Sequence, residues 1–126
     1  MGTAVFWLYV ATLTLVILHE MDAVHWREWE MFGVRGGVIG FLLFHVPLWA
    51  AALWGLGEAR NGTTSGWVLS LVVAGAGLTV FGVHTWFLRK GRPEFRAPIS
   101  LAIIGLCLPV SAALAAVTMA AMLGGG

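Results

Sequence analysis

Residues 3–24 have the sequence TAVFWLYVATLTLVILHEMDAV, an apolar run that meets its first charges only near its end. A helix needs about 20 apolar residues to cross the hydrocarbon core of a bilayer. Three further runs of similar length and composition follow at residues 34–56, 66–88 and 97–123. Since only helices and closed barrels satisfy every backbone group in lipid, four long uninterrupted runs predict an all-α integral membrane protein.

The composition of the whole chain supports this class. Of its 126 residues, 60% are hydrophobic and 10% are charged, whereas soluble domains average about 25% charged residues. A net charge of +1 provides no basic surface for nucleic acid, so the expected partner is membrane lipid. The single cysteine, Cys107, cannot form a disulfide or a thiolate metal site within one chain.

The segments between the runs are short, which makes consecutive helices antiparallel and predicts one domain, residues 1–126, with the topology of a four-helix up-down bundle. The N-terminal run lacks the basic region and cleavage site of a signal peptide, so we expect it to be retained as the first helix.

Six of the seven basic residues flank the first and third connections: Arg27, Arg35, Arg89, Lys90, Arg92 and Arg96. The positive-inside rule therefore predicts that both termini lie on the non-cytoplasmic side. We expect a multi-pass protein of the bacterial inner membrane.

Small residues are spaced four apart at the start of the second run. Gly33, Gly36, Gly37 and Gly40 form overlapping pairs of this kind, and residues 112–121 repeat the pattern with alanines. Such surfaces let helices approach closely. Packing within the bundle is the simpler interpretation, and a homo-oligomer is the alternative.

Several ionisable residues lie within the apolar runs. An ionisable group at membrane depth costs about 2.5 to 3.5 kcal/mol on insertion scales, so such groups usually belong to a functional site. At 1.5 Å of rise per residue, His19, Asp22, His45 and His84 all fall in the half of the bilayer nearer the cytoplasm. Imidazoles and a carboxylate from three helices predict a divalent metal site, with Zn, Fe or Mn as the ion.

Acidic residues near these histidines are candidates for catalysis: Glu20, Asp22 and Glu28. Glu20 shares a helical stripe with Arg27 and is either held by that arginine or turned inward. Residues at the membrane interface, namely His25, Glu28 and Glu30, are expected to face solvent or lipid headgroups, although Glu20 or Glu28 could also serve as a general base.

A proline lies two residues after the deepest histidine, His45. Pro47 leaves the carbonyl of Leu43 without its helical hydrogen bond. The free carbonyl is either part of a polar site beside His45 or the consequence of a simple packing kink, and the sequence favours neither.

Three motifs resemble those of an uncharacterised family of small four-helix bacterial membrane proteins. The first is H-E-x-D-A followed by E-W, at residues 19–29; the second is H-x-P-L, at residues 45–48; the third is a histidine followed by P-x-F, at residues 84–95. The family pattern has further histidines in the third region, where this chain has Phe87 or Leu88 and Arg92. The resemblance implies four helices and a polar site, and no activity.

The leading hypothesis is a membrane-embedded, metal-dependent enzyme that acts on a lipid-soluble substrate. In a metal-free version of this hypothesis, Asp22 or Glu20 is the acid and a histidine is the base. The alternatives are a non-enzymatic binder or carrier of a metal ion, haem or proton, and an accessory subunit of a larger membrane complex.

Overall fold

The computed structural model describes residues 2–124, which form four long helices and one short helix. The helices are α1 (Gly2–His25), α2 (Glu28–Met31), α3 (Gly37–Asn61), α4 (Thr64–Arg89) and α5 (Pro98–Gly124). All except α2 are long and apolar enough to cross a membrane. The predicted all-α four-helix membrane bundle is confirmed, and the side on which the termini lie stays a prediction.

The second long helix begins later than the apolar run suggests. Gly33, Gly36 and Gly37 all have positive φ angles, which glycine adopts without steric cost. This backbone forms a turn where the sequence pattern predicts helix, so α3 begins at Gly37 rather than at residue 34.

All four long helices contribute buried residues to the core, and α3 contributes the fewest. α1 and α4 each contact every other long helix, whereas α3 and α5 do not touch within residues 2–124. The buried apolar side chains include Tyr9 and Leu114. The Tyr9 hydroxyl donates a hydrogen bond to the Ala52 carbonyl of α3 at 2.8 Å, which satisfies a polar group that would be costly to leave unpaired in this core.

Close approach of α4 to its neighbours depends on Gly77. A Cβ atom at this position would overlap Oγ of Ser111 on α5 and would lie 3.3 Å from Cγ2 of Thr12 on α1. The three helices therefore meet at a point where only a hydrogen fits, as small residues allow in membrane bundles.

Helix α3 lies at the edge of the bundle. Of the residues in an apolar 18-residue stretch of α3, only 6% are buried, whereas the share is 33% in each of the other long helices. Its buried residues, Ala52, Gly55 and Ala59, all lie in its C-terminal half. The N-terminal half of α3 therefore stands away from the core and leaves space beside α1 and α2.

Candidate metal centre

A sharp turn after α1 brings Glu28 into the bundle. Arg27 has the left-handed angles φ 54° and ψ 52°, which are uncommon for a residue with a long side chain. Glu28 follows as the first residue of α2 and is only 8% exposed. The expectation that Glu28 faces solvent is therefore wrong: the left-handed residue Arg27 interrupts the helix between α1 and α2, and Glu28 is buried after this break.

Glu28 meets one histidine from α1 and one from α4. Its Oε1 lies 2.8 Å from Nε2 of His84 and 3.8 Å from Nε2 of His19. The two imidazole rings contact each other, with centroids 4.4 Å apart. One potential ligand atom from each of the three residues lies within 4.8 Å of the other two. We call His19, Glu28 and His84 the three-ligand cluster.

Protein covers the two histidines of the cluster almost completely. His19 and His84 are 1% and 2% exposed. The ring of Phe95, from the segment between α4 and α5, stacks on His19 with centroids 5.3 Å apart and lies 4.4 Å from the His84 centroid. Phe95 has a φ angle of 63°, a strained conformation for an aromatic residue, and the packing over the two histidines maintains it.

Nδ1 of each histidine in the cluster is without a hydrogen bond in the described part of the chain. Nδ1 of His19 and Nδ1 of His84 are buried, and neither finds a partner among residues 2–124. Buried polar side-chain atoms nearly always have a partner. These Nδ1 atoms are not the Nε2 atoms that approach Glu28, so the two histidines retain unsatisfied polar atoms in addition to the nitrogens that face the carboxylate.

The environment of Glu28 keeps its carboxylate ionised. Burial by itself would raise its pKa, but hydrogen bonding and the charges of His19 and His84 outweigh burial and lower the pKa of Glu28 to about 2. A metal ligand must be deprotonated. The cluster thus has its carboxylate in the required form at neutral pH.

A second polar pair lies next to the cluster and joins α1 to α3. Nε2 of His45 is 3.0 Å from Oε2 of Glu20, and Nδ1 of His45 is 2.7 Å from the Phe41 carbonyl oxygen. A carbonyl only accepts, so Nδ1 carries a hydrogen and Nε2 shares a single proton with Glu20. The Glu20–His45 pair is then neutral overall, which lowers the cost of its burial.

This pair decides between the two sequence-based positions for Glu20. Glu20 turns inward to His45 while α1 remains helical through His25. Arg27 instead pairs with Glu30 at 2.6 Å on the exposed surface. Helix α3 continues through Pro47, and the side chain of His45 hydrogen-bonds to the carbonyl one turn before it.

A cavity of about 400 Å³ lies between the N-terminal half of α3 and the α1–α2 region. We call it the α3 cavity. Its lining combines carboxylates, one histidine and one arginine with aromatic and small residues: Glu20, Glu28, Trp29, Phe32, Val34, Arg35, Gly37, Gly40, Phe41, Phe44 and His45. Glu28 belongs both to the cavity wall and to the three-ligand cluster, so the cavity borders the cluster at this one residue, while His19 and His84 lie behind it. A second cavity of about 180 Å³ lies beyond the Glu20–His45 pair, against α4.

The structure brings together two of the four metal ligands predicted from the sequence and separates the other two from them. His19 and His84 meet as expected, but their carboxylate partner is Glu28 rather than Asp22. His45 lies in the neighbouring pair. Asp22 is half-buried, and its Oδ2 has no hydrogen-bond partner within the described part of the chain. The contribution of Phe95 is not predictable from sequence, apart from the P-x-F motif that contains it.

Comparison with known proteins identifies a family and no activity. The family model described as a family of unknown function, DUF6713, matches residues 5–121, a range that contains the cluster and the whole lining of the α3 cavity. No curated protein and no solved structure matches the chain significantly.

Proposed function

The chain belongs to the DUF6713 family of unknown function, and we propose that it is a membrane-embedded, metal-dependent enzyme that acts on a lipid-soluble substrate. His19, Glu28 and His84 bind a divalent ion, and the α3 cavity receives the substrate. The observation that carries this proposal is the convergence of three buried ligand atoms from α1, α2 and α4 within 4.8 Å of one another.

The donor set and its spacing favour a small divalent ion. Two imidazole nitrogens and one carboxylate oxygen suit Zn, Fe or Mn. Ligand atoms of a tetrahedral zinc ion lie about 3.3 Å apart, from Zn–N and Zn–O bonds of about 2.0–2.1 Å. The distances of 2.8 Å and 3.8 Å from Glu28 to His84 and His19 lie on either side of this value. A haem between the two histidines is disfavoured, because their rings already touch.

Three protein ligands leave a coordination position for substrate, as in catalytic rather than structural zinc sites. A bound divalent ion supplies Lewis acidity toward a substrate oxygen. The surrounding residues have separate roles: Phe95 excludes water from the two histidines, and the Glu20–His45 pair holds a proton at the cavity wall, where it can act as general acid or base. Asp22 stays a catalytic candidate by virtue of its position on α1, one turn after His19.

The position of the α3 cavity beside the membrane favours a lipid-soluble substrate. The cavity lies beside the least buried helix, α3, so a molecule dissolved in the bilayer can reach it laterally. If the positive-inside rule applies, the centre lies in the cytoplasmic half of the bacterial inner membrane. The cluster is formed within one chain, so a homo-oligomer, if it forms, is not required to complete it.

Metal content of the purified protein tests the proposal. We expect about one equivalent of Zn, Fe or Mn in protein purified in mild detergent, or after reloading with each ion, measured by elemental analysis. His84→Ala should reduce this below a tenth of an equivalent. His25→Ala is the matched control, because His25 is exposed and should leave the metal content unchanged. Less than a tenth of an equivalent in the unsubstituted protein after reloading would overturn the proposal, as would equal loss in both variants.

A further inference from the structure

The α3 cavity has the lining of a site for an aromatic or quinonoid ring. Four of its residues are aromatic: Trp29, Phe32, Phe41 and Phe44. Aromatic side chains favour other π systems through edge-to-face and offset contacts. Saturated acyl chains, in contrast, gain nothing here that the bilayer does not already provide.

Two glycines leave part of the cavity wall flat. Gly37 and Gly40 line the cavity from the first turn of α3, and a Cβ atom at Gly37 would meet no heavy atom within 4 Å. The absence of side chains at these positions lets a flat molecule approach the helix backbone closely, a common use of glycine at ligand sites.

The lining of the cavity combines polar and apolar residues. The Glu20–His45 pair and Glu28 can donate a proton to or accept one from a ligand oxygen. Among the apolar lining residues, Phe32, Val34 and Phe44 are 49%, 58% and 65% exposed. A volume of about 400 Å³ is near the lower end of the range for small-molecule sites, so it accommodates a ring while an apolar tail extends past these three residues into the bilayer.

We infer that the α3 cavity binds the ring of an alkylated phenol- or quinone-type lipid, with a ring oxygen at the Glu20–His45 pair and the alkyl tail in the membrane. This inference deepens the proposed function by naming its class of substrate. Glu28, which also lines the cavity, connects this site to the three-ligand cluster. Arg35 is a further lining residue, and a guanidinium group can stack on an aromatic ring.

Binding of decylubiquinone to the metal-free protein tests the inference separately from the metal centre. The protein is treated with chelator, reconstituted in phosphatidylcholine nanodiscs and titrated while tryptophan fluorescence is recorded, since quinones quench indole emission and Trp29 lies in the cavity wall. We expect saturable quenching that Trp29→Phe largely removes. Decanol, which has a similar tail and no ring, should compete at least tenfold less well.

Two substitutions with a matched control locate the site. Gly40→Leu should raise the Kd at least tenfold, because the new side chain fills the cavity while its Cβ makes only an ordinary 3.6 Å contact with the Arg35 carbonyl. Gly57→Leu places the same side chain on the exposed surface of the same helix, where nothing lies within 4 Å, and should leave the Kd unchanged. Phe44→Leu, at an exposed position that cannot impair folding through core packing, should raise the Kd about threefold or more.

Several outcomes would overturn the inference. Quenching that grows linearly without saturation would indicate that the quinone only partitions into the lipid. Equal Kd values for Gly40→Leu and Gly57→Leu would place the binding site outside the α3 cavity. Equal competition by decanol and by the quinone would show that the site does not prefer a ring. The quinone titration uses metal-free protein, so its result is independent of the elemental analysis that tests the metal centre. If the protein binds the quinone but no metal, the proposed metal centre is refuted and the inference about the α3 cavity stands. If it binds metal but no quinone, the inference is refuted and the metal centre stands.

Discussion

Nε2 of His84 lies 2.8 Å from Oε1 of Glu28, although 56 positions separate the two residues in the chain. The contact joins the end of the third spanning helix to a short helix at the membrane interface. It places a carboxylate beside the two adjacent histidines. Most of the testable consequences of the structure follow from this contact and from the packing around it.

Removal of the Glu28 carboxylate should destabilise the fold. Glu28→Ala leaves His84 buried without its hydrogen-bond partner, which should lower the free energy of unfolding by about 1–3 kcal/mol. Glu30→Ala is the control: Glu30 is exposed and pairs only with Arg27, so its loss should change stability by less than about 0.5 kcal/mol. Unfolding by SDS in mixed micelles measures both, and equal effects would show that the buried contact is unimportant.

Stability should fall in acid in a way that depends on Glu28. Its pKa is lowered from the ordinary 4.5 to about 2 in the fold, so its ionised form stabilises the protein fully above about pH 4.5. This contribution is lost as the pH falls through 2. The groups that face it are His19 on α1 and His84 on α4, with the charge of Glu20 nearby. We expect Tm to drop between pH 4.5 and 2 in the unsubstituted protein.

The Glu28→Gln variant tests the origin of this acid loss. Glutamine does not titrate, so Tm of the variant should decline less over the same pH range, while carboxylates elsewhere titrate in both proteins. Identical Tm profiles for the two proteins would assign the acid sensitivity to other groups.

Phe95 should matter more for stability than an exposed phenylalanine. Phe95→Ala removes the ring that covers His19 and His84 and should cost about 3–5 kcal/mol, the usual range for a buried Phe→Ala change. Phe44→Ala removes the same atoms from a 65% exposed position and should cost far less. Denaturant titration compares the two variants, and a loss below about 1 kcal/mol for Phe95→Ala would contradict the importance of its packing on His19 and His84.

Two glycines of α4 should respond in opposite directions to alanine. Gly77→Ala introduces a methyl group that overlaps the Ser111 hydroxyl and should cost about 1–3 kcal/mol through overpacking. Gly75→Ala meets nothing within 4 Å and should be neutral or slightly stabilising, because alanine has the higher helix propensity. The free energies of unfolding of the two variants are measured in parallel. An unchanged free energy of unfolding for Gly77→Ala would contradict the close approach of α4 and α5.

The sequence alone determined the membrane class and the four spans, because length and hydropathy are local properties that lipid constrains directly. It also indicated that His19 and His84 lie at matching depth, since helix rise converts position into depth. Their rings do meet, with centroids 4.4 Å apart. What it could not indicate was which way each side chain faces. The spanning helices are apolar on all sides, so hydrophobic periodicity carries little information about orientation.

Only the tertiary structure decided the composition of the site. Glu28 lies in the cluster after a break in the helix, where a single left-handed residue, Arg27, separates α1 from α2. His45 joins Glu20 rather than the other histidines, because the N-terminal half of α3 stands away from the core. The α3 cavity exists for the same reason. Each of these features depends on one backbone conformation or on the position of one peripheral helix, and neither leaves a periodic pattern in the sequence.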